Sequence, residues 1–339
     1  MHIKDPAIPF DSIVVVIGAN GFIGVETCEK LLQAGYKVRG TVRDVEKHSA
    51  WMRKLFDEKC PGKFELVEVA EFQATGAFDA AFKGAAGVIY VSTPVLFHPD
   101  ASKVVSSNIR STINTLEAAA KAGVQRYVLC SSSKAVETTL YNDRQHSITT
   151  RMYNWEAVQK TCCGPREDGF GWMLDVYSAG RTLAELSFWS WVEQKNPPFV
   201  ANCVVPDGNF GRALNGSSST NDLLKTVLAG EWEAVPMPLG FLIDVEDTAR
   251  LLVAATAKSS ISKERVFAYH KRYTWNDLRQ QVRKITPNLV EGEDQKLEGK
   301  YLAEADDAIQ RAEVILQDIG RPGFVNVEVM LRNFLDTCY

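Results

Sequence analysis

Apolar residues come in short bursts, and the spacing of those bursts alternates between two kinds along the first two-thirds of the chain. Ile13 to Ile17 is an unbroken, β-branched run, which suits a parallel strand covered on both faces. Glycines follow at once. Val25, Cys28, Leu31 and Leu32 then recur at helical spacing until Gly35 stops the helix. The same reasoning predicts a strand over Lys37–Val42, a helix over Val45–Phe56, a strand over Phe64–Val69 and a short helix over Phe78–Phe82. After these come a strand at Val88–Val91, a long helix at Ala101–Ala122 stopped by Gly123, and a strand at Tyr127–Cys130. A helix over Tyr177–Gln194 and a strand over Phe199–Val205 complete the series.

Strands that alternate with helices predict an α/β fold built on a doubly wound parallel sheet. From Pro206 the pattern loosens. Gly, Asn and Ser crowd residues 207–221, and amphipathic helices are expected at Leu302–Leu316 and Val325–Phe334. No repeat or low-complexity tract interrupts the chain.

Gly18-Ala19-Asn20-Gly21-Phe22-Ile23-Gly24 lies between the first strand and the first helix, the context in which a glycine motif carries weight. One glycine permits the tight turn and another lets backbone approach a phosphate. The last lets the helix pack closely on the sheet, and the helix N–H groups and dipole hold the anion. Gly18, Asn20, Gly21, Phe22, Ile23 and Gly24 are therefore candidate contacts for a dinucleotide pyrophosphate. The expected architecture is a Rossmann domain over 1–205. A smaller, substrate-capping C-terminal lobe over 206–339 would return part of its chain to the sheet.

The end of the second strand selects between the two nicotinamide dinucleotides. An acid there would bind a free ribose hydroxyl, whereas arginine accommodates a 2′-phosphate. Arg43 stands at that end with Lys47 close behind, which favours NADPH/NADP+; Asp44 taking the ribose is the alternative.

Composition changes little. With 45% hydrophobic and 24% charged residues the chain reads as an ordinary globular protein. A net charge of −4, with no basic run, gives no reason to expect nucleic acid or an anionic membrane as partner. No apolar run reaches the roughly 18 residues of a membrane span, and the N-terminus lacks the form of a signal peptide. The seven cysteines are scattered, which suggests reduced thiols and a cytoplasmic protein. His98 and His146 have no ligand partner at metal spacing, so no metal is expected. A monomer and a homodimer are both open.

Three further stretches carry chemistry. They are Cys130-Ser131-Ser132-Ser133 at a strand end, Tyr177-Ser178-Ala179-Gly180-Arg181 opening a helix, and Ile243-Asp244-Val245-Glu246-Asp247-Thr248-Ala249. With the Gly-x-x-Gly-x-x-Gly spacing they resemble the extended branch of the short-chain dehydrogenases/reductases. Within it they are similar to fungal aldehyde reductases and ketoreductases and to plant dihydroflavonol reductases. The resemblance implies that Tyr177 is the general acid for a carbonyl oxygen and that Ser133 hydrogen-bonds the same oxygen. Hydride addition builds negative charge on that oxygen, so preorganised donors are what the reaction needs. It also implies Asn108 as support for a water relay, and Glu71, Ser92, Thr93, Pro94 and Pro206 near the cofactor.

One position departs from the family. Its motif is Tyr-x-x-x-Lys, and here residue 181 is Arg. A guanidinium can supply charge beside Tyr177 and donate to ribose hydroxyls, but it releases no proton at accessible pH. Three outcomes follow: an NADPH-dependent reductase of a small hydrophobic aldehyde or ketone, a pocket turned to a non-redox cyclase, dehydratase or isomerase-like reaction, or an inactive nucleotide-binding regulator. Phe97, Tyr153, Trp155, Trp172 and Phe210 suggest an apolar, aromatic-lined substrate site, although core aromatics would read the same way.

Overall fold

A computed structural model describes every residue except 93–96, 217 and 236. In chain order the first half runs β1 (Ile13–Ile17), α1 (Phe22–Gln33), β2 (Lys37–Val42), α2 (Val45–Asp57), β3 (Phe64–Glu68), α3 (Asp79–Phe82), β4 (Ala85–Tyr90), α4 (Ala101–Ala122) and β5 (Arg126–Cys130). Then come β6 (Gln145–Ser147), α5 (Trp155–Cys163), α6 (Gly169–Lys195), β7 (Val200–Pro206), β8 (Gly208–Phe210), α7 (Ser219–Leu228), β9 (Phe241–Asp244) and α8 (Val245–Ala257). The chain ends with β10 (Arg265–Ala268), β11 (Lys271–Arg272), α9 (Trp275–Ile285), β12 (Leu302–Glu304), α10 (Asp306–Asp318) and α11 (Val327–Cys338).

Seven strands form one parallel sheet in the order β10-β7-β5-β4-β1-β2-β3. Strand order reverses between β1 and β4, and ligands of such sheets bind outside the carboxyl ends at that switch point. Val14, Val16, Val25, Cys28 and Leu31 fill the layer on one face. Val15, Ile17, Val88, Tyr127 and Phe188 fill the other. Burial on both faces is why β1 reads as a continuous apolar run. A third cluster, with Phe210, Leu224, Trp275 and Phe334, is the core of the C-terminal lobe. The chain after Pro206 does not stay there: β10 pairs with β7 at the sheet edge, and α8 lies against α1.

Most expected elements stand where the pattern put them, and three differ. The long helix begins at Gly169, eight residues before Tyr177, because Trp172 and Val176 bury against Val104 of α4. Residues 302–304 are a strand paired with β6, so the helix expected from Leu302 starts at Asp306. The fourth strand runs from Ala85 to Tyr90, three residues earlier than Val88, in register with β1. Among the described residues no helix is long and apolar enough to cross a membrane.

Buried charge ties the layers together. Glu185 on α6 is fully buried and pairs with Arg265 of β10 at 2.5 Å, while Ser131 donates to its other oxygen at 2.5 Å. Removing one partner of such a pair strands the other charge in a low dielectric. Arg265→Met is therefore expected to lose about 3–5 kcal/mol of stability, read from urea unfolding at constant m-value. Asp244, the N-cap of α8, is also buried, and desolvation pushes its carboxyl from the ordinary carboxylate range up to about 8. A carboxyl whose folded pKa is raised favours folding below its unfolded pKa and loses that advantage as pH climbs through the folded one. Stability should thus fall between about pH 4 and 8 in the wild type, and Asp244→Asn should flatten that slope in melting curves.

Candidate active site

The glycine turn is held by contacts that leave no room for side chains. Gly18 sits at φ +85°, and a Cβ there would stand 2.7 Å from Cβ of Ser92 across the β1–β4 crevice. A Cβ on Gly24 would stand 2.0 Å from the Gly18 carbonyl oxygen, so α1 packs directly on the turn. Gly21 is exposed and is the N-cap of α1. That helix end has no side-chain cap and no acid in its first turn. Contrast α2, α4, α7, α8 and α9, whose first N–H groups are capped by Asp44, Asp100, Ser218, Asp244 and Thr274. An uncapped helix N-terminus with its dipole aimed into a crevice fits an anion. Phe22 and Ile23 are the first residues of that helix, half-buried.

Asn20 is fastened on two sides. Its Nδ2 lies 3.1 Å from His48 Nε2, and its carbonyl accepts from Asn215 Nδ2 at 3.1 Å, which brings the C-terminal lobe onto the turn. Arg43 and Lys47 are exposed beyond the end of β2 on the same side. Asp44, the alternative ribose ligand, spends its carboxylate on the Lys47 backbone N–H at 3.0 Å as the cap of α2. Glu71 is exposed in the turn after β3, and Ser92 closes β4 with its N–H on the Ile17 carbonyl. Thr93 and Pro94 lie outside the described residues. Pro206 is the last residue of β7, paired with Ala268.

The second group gathers beyond β5 and β7. These strands are neighbours, Cys130 opposite Val204, so the residues that follow them emerge side by side at the carboxyl edge. Tyr177 and Arg181 are one turn apart on α6 and face the same way. Tyr177 is half-buried, its ring 5.2 Å from that of Phe97, which is in turn 5.0 Å from Phe170. Arg181 is buried, and its Nη2 donates to the Cys130 carbonyl at 2.6 Å. Burial pushes the Cys130 thiol up to about 12, and the nearby Arg181 charge partly opposes it. The guanidinium is thus seated against the ends of the central strands. Asn108 on α4 faces α6: a Cβ on Gly180 would come 2.9 Å from its Nδ2. Both polar atoms of the Asn108 side chain are buried without a protein partner, a place for ordered water.

The three serines part company. Ser131 turns back to Glu185, and Ser132 accepts from the Lys134 N–H at 3.2 Å. Ser133 is buried and donates to Asp207 Oδ1 at 2.6 Å. Sequence reasoning missed Asp207. The signal was an acid directly after Pro206, at a strand end where apolar or small residues would be cheaper to bury. It also missed His48 and Asn215, since nothing in their spacing links them to the glycine turn. His146, which has no metal-spaced partner in sequence, lies in β6 with Nε2 2.6 Å from Glu137 Oε2. Among the described residues, Glu26, Glu29 and Glu246 form one group close enough for a metal ion. Arg212 and Lys30 already occupy its centre as counter-charges.

A doubly wound sheet with an anion-ready turn at its switch point, and a tyrosine helix laid across the next strand ends, defines a dinucleotide-dependent enzyme. The family model of the NAD dependent epimerase/dehydratase family matches residues 14–153. Aldehyde reductase 2 of Sporidiobolus salmonicolor is 32% identical over 98% of both chains. Ketoreductase adrE of Penicillium roqueforti is 31% identical over 96% of both. The fold also matches yeast methylglyoxal/isovaleraldehyde reductase Gre2, solved with NADPH, at a TM-score of 0.80 and 22% identity, over 96% of this chain and 98% of that one. Vestitone reductase from alfalfa matches at a TM-score of 0.74 and 18% identity, over 96% and 98%. The chain belongs to the NAD dependent epimerase/dehydratase family, the extended short-chain dehydrogenases/reductases, and is an oxidoreductase of that class.

Gly24→Ala tests the turn. The added methyl has only the Gly18 carbonyl to meet, so dinucleotide affinity should drop by at least about tenfold, because the backbone that cradles the phosphate must move. Calorimetric titration of the folded variant reads this directly.

Proposed function

We propose that the protein is an NADPH-dependent reductase of an aldehyde or ketone carried on a small hydrophobic molecule. In this reading residues 1–205 hold the cofactor, and most of 206–339 covers the substrate. The observation that supports it is that Arg181, one helical turn from Tyr177 on α6, donates to the Cys130 carbonyl at the end of β5, three residues before Ser133. That an aldehyde reductase and a ketoreductase are among its relatives supports the carbonyl class.

The pyrophosphate would rest on the N-terminus of α1, with Arg43 and Lys47 beside the 2′-phosphate. Their exposure beyond β2 and the engagement of Asp44 in a helix cap both favour NADPH over NADH. Glu71, Ser92, Thr93, Pro94 and Pro206 would border the adenine and nicotinamide ends. The bound cofactor supplies a hydride to the carbonyl carbon. Tyr177 donates the proton to the carbonyl oxygen, and the Ser133 hydroxyl contacts the same oxygen. Phe97, tilted against both Tyr177 and Phe170, would give the substrate an aromatic wall.

Arg181 takes the electrostatic part of the motif lysine, holding positive charge one helical turn from Tyr177. It cannot take the proton-relay part, since a guanidinium does not titrate. Water held by Asn108 would then serve Tyr177 without passing through residue 181. The seat of Arg181 on the Cys130 carbonyl also favours one second reading. With the charge held at the strand ends, the same acid could serve a non-redox step such as dehydration or isomerisation on a related molecule.

Oxidation of NADPH at 340 nm with a panel of aldehydes and ketones separates the two. Wild type should turn over, and Tyr177→Phe should lose at least about a hundredfold in kcat while still binding NADPH. Arg43→Ala should raise the NADPH Kd by about tenfold and leave NADH unchanged. Binding without any turnover in wild type, and turnover on Arg181→Lys, would select the non-redox reading.

A further inference from the structure

Ser133 does not offer its proton to the site. Its hydroxyl donates to Asp207 Oδ1 at 2.6 Å, while the Phe241 N–H donates to Oδ2 at 2.8 Å. A carboxylate has about four acceptor positions, so these two bonds leave others open. No cation lies in ion-pair reach of Asp207 among the described residues, and Lys134 spends its ammonium on Thr139 Oγ1 at 2.7 Å. Gly240 stands against the carboxylate, a Cβ on it coming 3.0 Å from Oδ2 and 3.3 Å from Tyr301 Cε1, and the charge is felt at the phenols of Tyr141, Tyr269 and Tyr301. The negative charge of Asp207 adds to burial in holding all three phenols protonated. The group is half-buried at the end of β7, beside the serine that follows β5.

A carboxylate in that place is unhelpful to a plain carbonyl. It holds the serine proton away, and its charge opposes the negative charge that grows on oxygen. It becomes useful when the substrate brings a donor of its own. We propose that Asp207 is a specificity-determining residue that selects carbonyl substrates bearing a hydroxyl next to the carbonyl. The substrate hydroxyl takes the place of Ser133 on Asp207, and the freed Ser133 proton turns to the carbonyl oxygen. No bond to hydrogen breaks in this exchange; one donor replaces another on the carboxylate. The inference rests on the reductase reading and names its substrate class.

The test uses the full chain with 1-phenyl-1-propanone and its 2-hydroxy analogue, which differ by one hydroxyl. Binding is read by calorimetry on the NADPH complex and turnover by NADPH oxidation. A hydrogen bond to a charged group predicts that wild type favours the hydroxy ketone by at least about tenfold, both in Kd and in kcat/KM. In Asp207→Asn the side-chain oxygen can keep the Phe241 N–H, and the amide then donates to Ser133. That variant should bring both ratios to within about twofold, lowering the hydroxy ketone and raising the plain one. Ser133→Ala should keep the binding preference but lose the turnover preference, and it reads the exchange even if Asp207→Asn does not fold. Equal handling of the two ketones by wild type, a preference that survives in folded Asp207→Asn, or failure of both ketones to bind would overturn the proposal. A binding preference that depends on Asp207 without any NADPH oxidation would instead leave it standing and sink the reductase reading.

Discussion

The carbonyl oxygen of Gly18 is the point on which the architecture turns. It accepts the N–H of Gly21, it lies where a side chain on Gly24 would have to go, and its own residue is pressed against Ser92. Because β1 and β4 diverge there, the crevice between their crossovers opens only if the turn is this tight. The helix that follows can present bare N–H groups only because no cap competes for them. Packing and function therefore make the same demand. A Cβ at Gly18 would meet Ser92 and one at Gly24 would meet the Gly18 carbonyl, so a side chain at either position forces backbone to move.

That demand reaches the C-terminal lobe through buried charge. Arg212, just past β8, forms a bidentate pair with Glu26 at 2.7 and 2.9 Å and reaches Glu246 at 2.9 Å. Glu26 lies in the first half of α1, and Glu246 opens α8. Asn215, three residues after Arg212, touches the turn itself through Asn20. Ion pairs this deep contribute little net stability over apolar packing, since desolvation offsets most of the attraction. They are directional, however. An apolar contact would let the lobe slide on α1, whereas a guanidinium shared among three carboxylates fixes where the loop after β8 must lie. Specificity of arrangement is what this cluster supplies.

Much of this was legible in sequence, and the limits have a pattern. Six of the seven sheet strands were legible from their apolar residues and flanking turns, β10 was not, and α4 was legible because Gly123 ends it. The glycine turn, the exposed Arg43 and Lys47, and the pairing of Tyr177 with Arg181 on one helix face are local facts that spacing can carry. What escaped was non-local. The start of α6 at Gly169 depends on α4 for its burial, and residues 302–304 are a strand only because β6 lies beside them. Asp207, His48 and Asn215 meet their partners across 74, 28 and 195 positions respectively, and no periodicity reports on such pairs. Local chemistry announces itself; convergence has to be folded to be seen.

Arg181 shows why the distinction matters for mechanism. From sequence the substitution is a change of base strength and shape at a motif position, with its consequence open. In the fold the guanidinium is pinned to the Cys130 carbonyl, the strand end that delivers Ser131, Ser132 and Ser133. A lysine would carry its three donors on one nitrogen, whereas the planar guanidinium spreads five over a fixed fork. The arginine thus couples the position of the serine turn to the helix of Tyr177, at the cost of a group that could pass a proton. Asn108, facing Gly180 from α4, has no side-chain hydrogen-bond partner among the described residues, which leaves its amide open to an ordered water. If the family's proton path is kept in this chain, it cannot pass through the side chain of residue 181, since a guanidinium holds its proton at accessible pH.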